Sequence, residues 1–177
     1  MDNVRAFQIH VDDADLNDLN DRLARTRWPE SEPVDDWTQG IPLQYVQELC
    51  AYWQTEYNWR STEEALNNIP QYMTEIDGLD IHFLHLKSPV ENAMPLVLTH
   101  GWPGSIIEFM KVLGPLSDPE AHGGTADDAF HLVVPTLPGF GFSGKPTSTG
   151  WGVDKVADAW SQLMRRLGYQ NYFAQGG

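Results

Sequence analysis

Pro95-Leu96-Val97-Leu98-Thr99-His100-Gly101-Trp102-Pro103-Gly104-Ser105 is the stretch on which the fold turns. Residues 95–99 form a short apolar run without alternation, which predicts a strand buried on both faces, as in a parallel sheet. Two glycines and a proline then break the strand. Ser105-Ile106-Ile107-Glu108 follows, a capping box that predicts a helix to about Leu113. A buried strand, a glycine-rich turn and a capped helix in direct succession make one βα unit of an α/β domain.

Reading outward, Gln71–Ile76 and Leu79–Leu86 flank Asp77-Gly78. That dipeptide predicts a hairpin, because the two-residue turn needs positive φ at its centre. Downstream, Phe130-His131-Leu132-Val133-Val134 predicts a second buried strand, and a loop rich in Gly, Pro and Ser runs from Pro135 to Gly150. Val153, Val156, Ala157, Trp160, Leu163, Met164 and Leu167 repeat at helical spacing, closed by Gly168 at the left-handed end position. Asn171–Ala174 predicts the last strand. A hairpin followed by βαβαβ resembles the opening half of an α/β-hydrolase sheet.

Up to about Pro70 the texture differs. Phe7, Ile9 and Val11 alternate with polar residues and predict a short strand. Asp12 or Asp13 can cap a helix carrying Leu16, Leu19 and Leu23, ending near Thr26–Pro29. Pro42 can open a second helix with an apolar stripe of Leu43, Val46, Leu49, Cys50, Trp53 and Tyr57. Ser61-Thr62-Glu63-Glu64 reads as a capping box for a third, ending near Pro70. Residues 30–40 read as an acidic wrapping loop. The expected division is therefore 1–70, a helical meander, and 71–177, the first half of the sheet.

A chain of 177 residues with 41% hydrophobic and 20% charged residues can bury a core of its own. Its net charge of −14 repels nucleic acid and anionic membranes, so neither is an expected partner. Cys50 is the single cysteine, which rules out an internal disulfide and fits a reducing compartment. No apolar run approaches the ~18 residues needed to span a bilayer, and Met1-Asp2-Asn3-Val4-Arg5 does not open a signal peptide. The expected location is cytoplasmic.

His100–Ser105 carries the strongest functional signal. Its glycines let the backbone approach a ligand. Pro103 has no N–H, so the Trp102 N–H is the candidate donor at this turn. The bland alternative is a tight strand-to-helix turn with a packed Trp. Gly139, Gly141 and Gly144 match G-x-G-x-x-G, but that fingerprint must open a helix straight off its strand. Lys145-Pro146 follows instead, so Phe140 and Phe142 are assigned to a loop bordering the site, and no dinucleotide is expected. His82 and His85 fall on opposite faces of one strand and do not suggest a metal site. His10, His122 and His131 show no converging partners. No Ser lies in a G-x-S-x-G elbow, so serine catalysis is not expected.

Together these residues resemble the microsomal-type epoxide hydrolases over the whole length. The resemblance rests on Leu23-Ala24-Arg25-Thr26-Arg27-Trp28-Pro29, Tyr57-Asn58-Trp59-Arg60 and Thr74–Phe83. It rests equally on His100-Gly101-Trp102-Pro103-Gly104-Ser105, Pro138–Ser143 and Ala174-Gln175-Gly176-Gly177. It implies an α/β-hydrolase whose nucleophile elbow begins at Gly176 and Gly177, with an aspartate expected next. It further implies an alkyl-enzyme ester, cap tyrosines, a His base with a carboxylate partner, a small apolar epoxide as substrate, and no metal or cofactor. Trp102 supplies an oxyanion-hole N–H, with His100, Gly101, Pro103, Gly104, Phe140 and Phe142 around the pocket. The implied partner is a C-terminal portion of the same enzyme. The alternative is a catalytically inactive N-terminal fragment acting as a folding or binding subunit. An esterase or dehalogenase is a third reading, against which the N-terminal meander argues.

Overall fold

The computed structural model describes residues 4–176. The chain divides into two compact units, one of residues 1–8 with 67–177 and the other of residues 9–66.

The first unit is built on a six-stranded mixed sheet in the order β1-β2-β3-β5-β4-β6. The strands are β1 (Val4–Ala6), β2 (Gln71–Ile76), β3 (Leu79–Leu86), β4 (Met94–Thr99), β5 (Phe130–Pro135) and β6 (Phe173–Gly176). The hairpin forms as its turn residues predict, with φ of 51° at Asp77 and 79° at Gly78. β3 runs antiparallel to β5, while β4 runs parallel to both β5 and β6. From β4 the chain steps to one side to make β5, then crosses back to make β6 on the other.

The core explains why the apolar runs carry no alternation. Ile81, Phe83, Val97 and Val133 are buried on one face beneath Ala159, Trp160, Leu163 and Met164 of helix α5 (Val153–Arg166). Leu84, Leu96, Leu132 and Val134, offset by one residue, are buried as well. α5 meets the sheet through its i, i+3, i+4 stripe and stops at Gly168, whose φ is 93°.

Three sequence expectations shift here. The strand expected at Phe7–Val11 is instead β1 at Val4–Ala6, which pairs with Thr74, Met73 and Tyr72. The Phe7 N–H bonds the Gln71 carbonyl, the first residue of β2, so residues beyond Phe7 find no strand to extend along. The capping box at Ser105 forms, with Ser105 and Glu108 satisfying each other's backbone N–H groups. It opens only a 3-10 turn at Ile106–Phe109, and helix α4 (Leu113–Ser117) starts anew. Pro115 cannot donate to a carbonyl four residues back, so it suits the first turn of a new helix and not a continuation. The last strand lies two residues later than expected, Phe173–Gly176, set by the Leu96–Phe173 to Thr99–Gly176 register. All four of its residues are exposed, at the edge of the described sheet.

Gly144 shows how tightly the loop after β5 is laid down. Its N–H donates to the Asp80 carbonyl at 2.7 Å. A Cβ there would meet Leu79 Cδ1 at 2.8 Å and the Asp80 backbone at 3.3 Å. Gly144→Ala is expected to destabilise the protein by about 1–3 kcal/mol, measured by urea unfolding. An unchanged midpoint would mean that the loop lifts at no cost.

The second unit holds α1 (Asp13–Ala24), α2 (Leu43–Thr55) and α3 (Trp59–Asn67), the last running one residue past the unit boundary. Pro42, expected at the first helical position, lies one residue earlier, at the N-cap of α2, where it offers no capping side chain. The first helical N–H, at Leu43, is satisfied by the Glu32 carboxylate from the acidic loop at 3.0 Å. α3 begins before the expected capping box, because Asn58 Oδ1 accepts the Arg60 N–H at 3.0 Å and serves as the cap. Glu63 is not a box residue. It accepts the Val11 N–H at 2.7 Å, the Trp59 indole N–H at 3.3 Å and an Arg60 N–H at 2.7 Å. The Val11 N–H first, and the Arg60 and Trp59 donors after it, hold its carboxyl below the usual range. α2 buries none of its residues, and Cys50 is half-buried, not the core residue expected. Among the described residues no helix is long and apolar enough to cross a membrane.

Candidate active site

The carboxyl ends of the parallel strands are where an α/β sheet builds its sites, because the connecting loops leave there. Three such ends lie side by side here. β4 leads into His100–Ser105, β5 leads into Thr136–Gly144, and β6 ends at Gly176, the register partner of Thr99. Gly177, the second residue expected at the elbow, lies outside the described residues. A Cβ built on Gly176 meets only Thr99, at 3.6 and 3.7 Å, ordinary contact distances. β4 therefore leaves room for a small side chain at this position.

The first loop closes on itself. The Gly104 N–H bonds the Gly101 carbonyl at 2.8 Å across a cis Trp102–Pro103 peptide. Glu108 folds back to cap the Ser105 N–H at 3.0 Å, and its carboxylate occupies the space a Gly104 side chain would need. Trp102 is 83% exposed in this chain. Its backbone N–H has no hydrogen-bond partner among the described residues.

His100 joins the two loops. It is buried, its Nε2 accepts the Leu137 N–H at 3.1 Å, and its Nδ1 lies 3.1 Å from the Gly101 carbonyl. An Nε2 that accepts leaves the proton on Nδ1, which donates to Gly101. Phe140 stands edge-on to the same ring at 5.6 Å between centroids. His100→Ala removes the acceptor for Leu137 and is expected to cost about 1–3 kcal/mol, read from thermal unfolding. A loss below a few tenths would show that solvent satisfies that N–H. Phe142 turns the other way, against His82 at 5.5 Å and Phe7 at 5.8 Å.

The glycines of the second loop do not open a helix. The chain turns back through Gly139 and Gly141, at φ of 84° and 43°, and α5 begins only at Val153. Among the described residues no three His, Cys, Asp or Glu side chains converge as metal ligands.

Sequence spacing missed two histidine networks. His82, wholly buried, has Nδ1 at 2.8 Å from Thr136 Oγ1 and Nε2 at 3.0 Å from Gln71 Oε1. Burial lowers its pKa to about 4. His85, on the opposite face as predicted, lies 2.9 Å from the Tyr169 hydroxyl. His131, expected to stand apart, stacks on the Tyr169 ring at 6.1 Å. Burial, then the charges of Lys87 and His131, lower the His85 pKa to about 4, and burial raises that of Tyr169. Thr136 meets His82 across the β3–β5 pairing, 54 residues on, and Tyr169, 84 residues from His85, comes from the connection between α5 and β6; no local pattern records either.

Comparison with known proteins gives this fold a family. The pattern described as "Epoxide hydrolase N terminus" matches residues 4–109, and that described as "alpha/beta hydrolase fold" matches residues 94–177. A Stigmatella aurantiaca protein, whose name assigns it provisionally to the epoxide hydrolases, is 56% identical across 98% of this chain and 40% of its own length. "Epoxide hydrolase 1" of Oryctolagus cuniculus is 36% identical across 99% of this chain and 40% of its own. The solved structure of Aspergillus niger epoxide hydrolase superposes with a TM-score of 0.85 at 36% identity, over 98% of this chain and 46% of that one. The chain thus spans about two fifths of the length of the curated relatives it matches. With the family's N-terminal segment covering more than half of its residues and the hydrolase sheet following, the chain belongs to the epoxide hydrolases built on an α/β-hydrolase fold.

Proposed function

We propose that this chain forms the N-terminal part of an enzyme that opens small apolar epoxides to vicinal diols. The observation that carries the reading is the unpartnered Trp102 N–H, one turn beyond β4 and beside the strand that ends at Gly176. In this mechanism an aspartate following Gly177 attacks an epoxide carbon. The C–O bond breaks, and the oxygen leaves as an alkoxide that a cap tyrosine protonates. A His–carboxylate pair in the remainder of the enzyme then deprotonates a water, which attacks the ester carbonyl. The Trp102 N–H and the N–H of the residue after the aspartate hold the resulting oxyanion, and collapse releases the diol and the carboxylate. No step needs a metal or cofactor. The proposed location is the cytoplasm, on the cysteine usage.

The test joins mass spectrometry to turnover. The 177-residue chain alone is expected to yield no diol from styrene oxide above the uncatalysed rate, and its complex with the remainder to yield it catalytically. Single turnover in ¹⁸O-labelled water is expected to leave the label in the aspartate. Diol from the chain alone, or label appearing only in the diol, would overturn the reading. The wholly exposed edge strand β6 favours a second reading, a folding or binding subunit without activity. A stable complex that turns over no epoxide would select it.

A further inference from the structure

We propose that His82 is a positioning residue: through Thr136, Ser143 and Phe142 it fixes the loop that closes the β5 end of the site. For its kinetic consequence alone, the role rests on the epoxide-opening reading.

His82 sits in the middle of β3, where an apolar residue would fill the same space without needing hydrogen-bond partners. Instead it uses every polar group it has, and all but one of its hydrogen bonds reach the same loop. Its carbonyl accepts the Thr136 N–H at 2.8 Å. Its N–H donates to Ser143 Oγ at 3.0 Å, and that hydroxyl in turn donates to the Thr136 carbonyl at 2.8 Å. In the ring, Gln71 Oε1 can only accept, so Nε2 carries the proton and Nδ1 is left to accept from the Thr136 hydroxyl. Both ends of the loop, Thr136 and Ser143, are thus fastened to one residue. The imidazole packs in a cluster of three rings, with Phe7 at 5.1 Å and Phe142 at 5.5 Å between centroids.

The arrangement is closed to water. Gln71, Thr136 and Ser143 are buried with His82. The low pKa of His82 follows from that burial and keeps the ring neutral, able to accept, at any pH near neutrality. The loop it fastens carries Phe140, which stands against His100, and His100 fastens the other end of the same rim. His82 touches none of the residues assigned to chemistry, so its effect on reaction runs through the loop.

Hydrogen exchange on the full-length protein tests this without relying on activity. His82→Phe keeps a ring beside Phe7 and Phe142 but removes both nitrogens. Thr136→Val removes the hydroxyl and retains its shape and its backbone bond. In each, amides of residues 137–144 are expected to exchange at least about tenfold faster, while those of β4 and α5 stay within about twofold. His82→Asn restores an acceptor facing Thr136 and is expected to recover most of the protection. With styrene oxide as probe, His82→Phe is expected to raise KM about fivefold with kcat changed less than twofold, and His82→Asn to reverse it. Unchanged loop exchange, or an increase spread evenly over the sheet, would overturn the proposal. The predicted exchange pattern in a protein that turns over no epoxide would uphold the positioning role and sink the activity instead.

Discussion

Replacing the Trp102 amide by a backbone ester, which deletes the N–H and keeps the side chain, is expected to slow hydrolysis of the covalent intermediate by about 10²–10³-fold, or roughly 3–4 kcal/mol. The reason lies in where charge develops. In the proposed reaction, ring opening puts negative charge on the epoxide oxygen, where the cap tyrosines would meet it. Attack of water on the ester would put charge on the ester carbonyl oxygen, and only at that step would the Trp102 N–H gain a partner. Alkylation should therefore proceed at close to its normal rate and the alkyl-enzyme should accumulate. Rapid-quench mass spectrometry would detect it as a mass increase equal to the epoxide. Trp102→Ala keeps the N–H, and because the indole is 83% exposed it should change the same step less than tenfold. Equal losses in the two variants would assign the effect to the indole and remove the backbone from the mechanism.

Acidification is expected to destabilise the protein through His82 by about 3 kcal/mol between pH 6.5 and pH 4. In the folded protein the ring resists protonation until about pH 4, whereas in the unfolded chain it protonates near 6.5. Between those values the unfolded chain binds the extra proton. Stability is thus fully present above the unfolded value and falls as pH drops through the window. His85, whose pKa is lowered to about 4 as well, acts in the same direction. Urea unfolding at about pH 7 and about pH 4.5 would measure the drop, with His82→Phe as the reference. That variant should start less stable and show a shallower pH slope. A slope identical to that of the parent protein would mean that His82 already titrates near its ordinary value when folded.

The sheet was legible because its strands announce themselves locally. Asp77-Gly78 can form one kind of turn, and the runs at 95–99 and 130–134 are too apolar and too short for anything but buried strands. The loop after β4 was legible for the same reason, since its glycines, its proline and its capping box sit within nine residues of chain. What failed was governed by partners elsewhere. Phe7–Val11 alternates like a strand, yet it outruns the neighbour it would pair with. Ser61–Glu64 spells a capping box, yet Asn58 caps first and Glu63 is drawn to Val11, Trp59 and Arg60. The histidines at 82 and 131 carry no such signature. Gln71 and Thr136 reach His82 across the sheet, and Ser88 and Tyr169 reach His131 from loops remote in sequence, so each histidine reads in sequence like any other residue of a strand.

The hydrogen bonds of His100 bear on how such an enzyme can change. One neutral ring ties Leu137 and Phe140, which shape the rim, to the Gly101 carbonyl, which closes the turn bearing the Trp102 N–H. Under the proposed function, a substitution that widens the rim at Phe140 is expected to loosen the turn as well, which would couple substrate range to turnover. Variants selected for a bulkier substrate should lose speed by default. Those that recover it should carry a second change that steadies His100, even where that change lies away from any bound molecule.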